Sequence, residues 1–172
     1  MKPFRFTCAC CGETHQGLPA FALDRPPEIH ALPPEARAAR GRVSDDFCAL
    51  LPEGGEGAPR MWIRTVMILP IRGEDETLEF GFWLEVSNED FDRYLHSFDG
   101  EQDGMSCRGV LSTDCEVYRD FGIEGLACTA EWFTEARPLL TPDMAAHPLA
   151  RDWHEGVPPE RAAQVAAAYL HR

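Results

Sequence analysis

The chain predicts an α+β domain: an antiparallel sheet with packed helices and a Cys-rich, zinc-knuckle-like turn near its start. Three observations point there. Two β-rich runs, Met61-Trp62-Ile63-Arg64-Thr65-Val66-Met67-Ile68-Leu69-Pro70-Ile71 and Leu78-Glu79-Phe80-Gly81-Phe82-Trp83-Leu84-Glu85-Val86, lie close together in sequence. Between and after the strand candidates stand segments with helical apolar spacing. No repeat interrupts the 172 residues, a length that suits one domain, 1–172.

In chain order, Phe4-Arg5-Phe6-Thr7 reads as a short strand leading into the cysteines. Residues 1–50 otherwise read as irregular and turn-rich, broken by Pro26-Pro27 and Pro33-Pro34. Pro34 at a first helical position predicts one or two turns over residues 35–40. Glu53-Gly54-Gly55-Glu56-Gly57 is a hairpin tip joining residues 46–51 to the strand that starts at Met61. After the aromatic-rich strand, Ser87 with Asp90 three residues on predicts a helix start. Phe91, Tyr94, Leu95 and Phe98 fall at i, i+3, i+4 and i+7, an apolar stripe expected to pack on the core, and Gly100 ends the helix. Residues 105–111 and 127–140 supply two more strand candidates. Pro158-Pro159-Glu160 opens a last helix lined by Ala162, Val165, Ala166 and Tyr169.

Composition narrows the function classes. Hydrophobic residues make up 44% of the chain, enough for a sizeable core. The formal charge of −13 argues against nucleic acid and against anionic membranes as partners; it reads first as a well-solvated surface, and in a sharper reading as an acidic face that meets a protein partner with a basic face. No stretch has the roughly 18 apolar residues of a membrane span, and the N-terminus lacks a signal-peptide apolar region. A cytoplasmic location is therefore expected. Seven cysteines, an odd number without regular spacing, do not form a disulfide framework in that setting. Cys107, Cys115 and Cys128 lie in apolar or mixed segments and read as small buried hydrophobes.

Cys8-Ala9-Cys10-Cys11-Gly12-Glu13-Thr14-His15 puts three thiols and an imidazole within eight residues. Two thiolates separated by two residues on a glycine-containing turn chelate a soft cation, most often Zn²⁺. Gly12 lets the chain turn so that backbone N–H groups approach the sulfurs. No second Cys-x-x-Cys pair follows, so completion must come from Cys48 and one of His15, Cys10 or His30. The favoured set is Cys8, Cys11, His15 and Cys48, a closed and hence structural site. Metal-free thiols and a redox dithiol are the rival readings, the latter weakened by the lack of a βαβ pattern around the cysteines.

No phosphate-loop, dinucleotide, nucleophile-elbow or zinc-protease motif occurs. His147 and His154 sit seven residues apart and are expected to cap or pack a helix. Trp62, Arg64 and Trp83 form a possible ligand pocket, with Arg64 gripping an anion.

Several segments together resemble a known family. These are Phe6-x-Cys8-x-x-Cys11-Gly12-x-x-His15, Ser44-Asp45-Asp46-Phe47-Cys48, Trp62-Ile63-Arg64 running into Leu69-Pro70-Ile71, Phe80 to Ser87 followed by Phe91, and His147-Pro148-Leu149-Ala150-Arg151 through Gly156-Val157. In this order they resemble the uncharacterised bacterial family DUF2199. The resemblance implies a small bacterial protein and no particular activity. Cys10 and Trp153 depart from the family pattern.

Three functions are consistent with these residues. The first is a non-enzymatic binding module with a structural zinc. The second is an enzyme with an open zinc on Cys8, Cys11 and Cys48. The third is a thiol-based redox or metal sensor using Cys10. Coordination by His15 separates the first two, because a fourth protein ligand leaves no position for an activated water.

Overall fold

The computed structural model describes residues 3–98, 100, 102–113, 115–143 and 146–171. Its centre is a long hairpin of β6 (Arg60–Pro70) and β7 (Thr77–Val86), paired antiparallel from Met61↔Val86 to Pro70↔Thr77. Each strand is long enough to share its outer edge between two neighbours. Along β6, the first half pairs with β5 (Phe47–Leu50) and Val66 meets Leu139 of β10 (Ala136–Pro142) in parallel. Along β7, the first half takes β3 (Phe21–Ala22) in parallel and the second half takes β8 (Ser106–Leu111). β8 pairs with β9 (Ala127–Phe133), and β9 pairs with β10. The ring β6–β7–β8–β9–β10–β6 closes into a five-stranded, barrel-like sheet, while β4 (Gly41–Val43) extends it beyond β5. Closure leaves no free edge in the ring, a standard way to avoid exposed ladder groups.

The α+β class and most elements match the sequence. The Ser87 hydroxyl accepts from Asp90 N–H at 3.0 Å and starts α3 (Asn88–Ser97) after the helices α1 (Pro27–His30) and α2 (Pro34–Arg40). Three expectations need correction. The candidate strand 127–140 is two strands, because Glu135 at φ 66° turns the chain between β9 and β10. The sheet is mixed, not purely antiparallel, through the short β3–β7 and β6–β10 contacts. The first fifty residues carry regular structure: β1 (Arg5–Thr7), β2 (Thr14–Gln16), β3, β4, β5 and both short helices.

Strand alternation sorts the core. Ile63, Met67 and Leu69 of β6 and Leu78, Phe80, Phe82 and Leu84 of β7 face inward and form the main cluster with Trp132, Leu140 and Phe91. Trp62 and Trp83 point to the other face and form a second cluster with Ile29 of α1 and Cys48 of β5. Glu28 fastens α1 over that face, accepting from the Arg60 guanidinium at 2.5 Å and from Ser112 Oγ at 2.7 Å. β6 is thus buried on both faces near Ile63, which explains its nearly unbroken apolar run. The α3 stripe is only half used: Phe91 and Tyr94 are buried, whereas Leu95 and Phe98 are exposed. Phe98 instead covers Phe47 and Tyr94 edgewise at 5.3 and 5.1 Å.

At the C-terminal side, α4 (Pro148–Glu155) is capped by His147, whose Nδ1 accepts from Leu149 N–H. α5 (Pro159–Leu170) lays Ala162, Val165, Ala166 and Ala167 on the core and sets Tyr169 4.9 Å from Phe21. Among the described residues no helix is long and apolar enough to cross a membrane.

Candidate metal centre

The N-terminal cysteines stand at the tip of the β1–β2 hairpin. Its register, Arg5↔Gln16 to Thr7↔Thr14, leaves residues 8–13 as the turn. Cys8 N–H donates to Glu13 O at 2.8 Å and Gly12 N–H to Cys8 O at 2.9 Å. Gly12 adopts φ +75°, the left-handed conformation that side chains disfavour. The same register sets His15 opposite Phe6, whose ring stacks on the imidazole at 5.4 Å. Local sequence therefore accounts for bringing Cys8, Cys11 and His15 together.

The fourth member comes from far away. α5 docks on the core and delivers His171, the residue after its last turn, to the hairpin tip. His171 Nε2 lies 3.2 Å from Cys8 Sγ, and His15 Nε2 lies 3.4 Å from Cys11 Sγ. The ligand atoms of Cys8, Cys11, His15 and His171 all lie within 4.8 Å of one another. Zinc bound tetrahedrally, at about 2.3 Å from sulfur and about 2.0 Å from nitrogen, holds its ligand atoms roughly 3.3–3.8 Å apart. The group sits close to that spacing, and two thiols with two imidazoles are a chemistry suited to zinc, so these residues could hold a metal.

Electrostatics at the tip favour ionised sulfur. The Cys8 thiol is lowered from its ordinary 9.0 to about 6, first by the backbone N–H of Cys11, then by that of Cys10 and by the side chains of Cys11 and His171, against the cost of burial. Cys10 N–H lies 3.3 Å from Cys8 Sγ, the N–H to sulfur contact expected of a metal-binding turn. Cys10 itself is exposed, and its thiol is shifted upward by desolvation and by its charged neighbour Cys8.

Cys48, expected as a ligand, does not join the group. It pairs with Trp62 across the β5–β6 ladder and packs among Ile29, Trp62 and Trp83. Alternation along β5 turns Phe47 toward the main core and Cys48 to the opposite face, away from the core cluster that holds Cys8. Burial pushes its thiol up to about 11, the state of an inert apolar residue. His171 takes the place the sequence assigned to Cys48. A lone histidine after an Ala-rich helix carries no local sign of this role, because Cys8, the sulfur it meets, lies 163 residues earlier.

His30 ends α1 and is exposed, apart from the cysteines. Of the three proposed pocket residues, Arg64 and Trp83 line a cleft, whereas Trp62 is fully buried beside Cys48. Cys107, Cys115 and Cys128 are buried, as their apolar contexts suggested.

No curated protein and no solved structure matches the chain. A family model does match, over residues 7–157, a span that takes in Cys8, Cys11 and His15 and stops short of His171. On that match the chain belongs to DUF2199, a family of uncharacterised proteins conserved in bacteria.

Proposed function

We propose that this protein is a non-enzymatic binding module whose fold is fastened by one structural zinc on Cys8, Cys11, His15 and His171. The observation that carries this reading is the convergence of two thiols and two imidazoles from opposite ends of the fold. Four protein ligands close the coordination sphere and leave no position for an activated water, which weighs against an enzyme with an open zinc. A metal there ties the β1–β2 hairpin to the end of α5. It would act as a long-range cross-link and stabilise chiefly by restricting the unfolded chain. The net charge of −13 supports a protein partner with a basic face, because opposite charge accelerates encounter. A thiol-sensing role draws support from a separate feature: Cys10, exposed beside the ionised Cys8, would remain free when its neighbours hold metal.

Elemental mass spectrometry of protein purified without a polyhistidine tag tests this assignment. We expect about one zinc per chain in the natural sequence and in Cys48→Ser, and little or none in Cys8→Ser, Cys11→Ser or His171→Ala. Zinc retained in His171→Ala would reopen the enzyme reading. A well-folded protein without metal would sink the structural site.

A further inference from the structure

On the sheet face opposite the main core, a cleft of about 570 Å³ is lined by Arg25, Arg37, Arg64 and Arg137 against only two carboxylates, Asp24 and Asp45. This local excess of positive charge stands out in a chain of net charge −13. The fold places Arg64 with care. It stands on β6 opposite Trp83 of β7, its guanidinium lies 4.9 Å from the centre of that indole ring, and its Nη1 donates to Leu23 O at 3.0 Å. Gly81 makes room for it: a Cβ there would lie 2.8 Å from Nη2 and 3.0 Å from Nε. The residue is only 8% exposed, yet Nε has no hydrogen-bond partner. Arg37 shows the same deficit, with Nη2 held by His30 O and Leu32 O while its buried Nε is unpartnered. Neither Arg25 nor Arg64 has a carboxylate within ion-pair distance among the described residues; Arg137 is paired with Asp46 at 2.7 Å.

A buried guanidinium with no carboxylate beside it is costly, and an anion bound in the cleft would offset that cost. Burial and the nearby Arg137 both shift the Arg64 guanidinium downward, the direction that a bound anion would reverse. The cleft volume suits a metabolite-sized molecule. The net charge of −13 repels an extended polyanion, which favours small anions in the cleft.

We propose that this cleft is a binding site for a small organic anion carrying a carboxylate or phosphate group, held by Arg64 with Arg25 and Arg37. Arginine presents a planar fork matched to both acceptor groups. None of the cleft residues belongs to the metal group, so the site stands or falls independently of zinc.

The test is a titration of the full chain with inorganic phosphate and, separately, malonate. Sodium chloride holds ionic strength constant, and the side-chain Nε–H resonances of the arginines are followed by NMR. Saturable shifts at Arg64 are expected with phosphate, malonate or both; which anion saturates tells the phosphate-bearing from the carboxylate-bearing ligand. Arg64→Lys should weaken binding about tenfold, since it keeps the charge and loses the fork. Arg25→Gln, an exposed change that leaves the core untouched, should weaken it about threefold and decides the matter if Arg64→Lys does not fold. Shifts no larger than chloride produces, or saturable binding undiminished in Arg25→Gln and in folded Arg64→Lys, would overturn the proposal. Zinc content measured on the same variants should be unchanged, which separates failure here from failure of the metal reading.

Discussion

Cys8 and Cys48 are equally shielded from solvent, each at 1% exposure, and chemically opposite. One thiol is held near 6 and the other near 11. Loss of solvent alone therefore does not decide the fate of a cysteine: at Cys8 hydrogen bonds to the sulfur outweigh it, whereas at Cys48 desolvation dominates. Around Cys8 stand two backbone N–H groups and an imidazole, which stabilise the thiolate. Around Cys48 stand isoleucine and tryptophan side chains, and the cost of desolvating a thiolate among them outweighs the pull of the Arg25 and Arg64 charges. The first environment prepares a metal ligand, already ionised at neutral pH, so that few protons compete with the metal. The second makes a filler for a gap under α1.

The contrast should appear most strongly on metal removal. Chelation by a strong zinc ligand, or Cys8→Ser, should convert a protein with about one zinc per chain into a metal-free form with a markedly lower Tm. Thermal scans with and without added zinc check this, and a Tm indifferent to chelator would contradict the long-range cross-link. The second effect is alkaline. Cys48, Cys107 and Cys128 are raised by burial to about 11, 11 and 12 from an ordinary 9.0, so above pH 9 the unfolded chain loses protons that the folded chain retains. Folding stability should fall as pH rises from about 9 and level off only once the folded thiols also ionise near 11–12. Urea unfolding at a series of pH values would show the decline; stability flat to pH 11 would mean that these thiols are not buried as described.

Cys48→Ser should be a smaller and purely structural change. A hydroxyl among Ile29, Trp62 and Trp83 lacks a partner and costs about 1–3 kcal/mol, or roughly 3–10 °C in Tm, with zinc content unaltered. Loss of zinc in this variant would restore Cys48 to the ligand set. The subtlest readout is alkylation at neutral pH followed by peptide mass mapping. Exposed Cys10 should react in the presence or absence of zinc, Cys11 only without it, and Cys48 in neither case. Protection of Cys10 by zinc would place it in the coordination sphere instead of His15 or His171.

Much of this architecture was readable from residues close together in the chain. The Ser87 cap, the hairpin around Gly54 and Gly55, the helix opened by Pro158 and Pro159, and the Cys8–Cys11 turn each depend on a few neighbouring residues. The single strand expected over 127–140 failed for a local reason that composition hides: Glu135 takes a left-handed conformation usually left to glycine or asparagine, so no turn residue advertised the hairpin. The assignment of Cys48 failed for a different reason. Its spacing from Cys8 and Cys11 was acceptable, but spacing does not say which side of the sheet a strand residue faces.

What local chemistry dictates, then, is the preparation of half a metal site: a glycine turn, two thiols and a histidine on one hairpin. The other half depends on where α5 comes to rest, which is set by Ala162, Val165, Ala166 and Ala167 packing on a core assembled from the whole chain. The same holds for the arginine cleft, whose members come from β6, β10, α2 and the segment before α1, and meet only because the ring of strands closes. Short-range hydrogen bonds and φ preferences act within a few residues and leave their mark on the sequence. Contacts between distant segments are selected by apolar burial, which is non-directional and leaves no spacing to read.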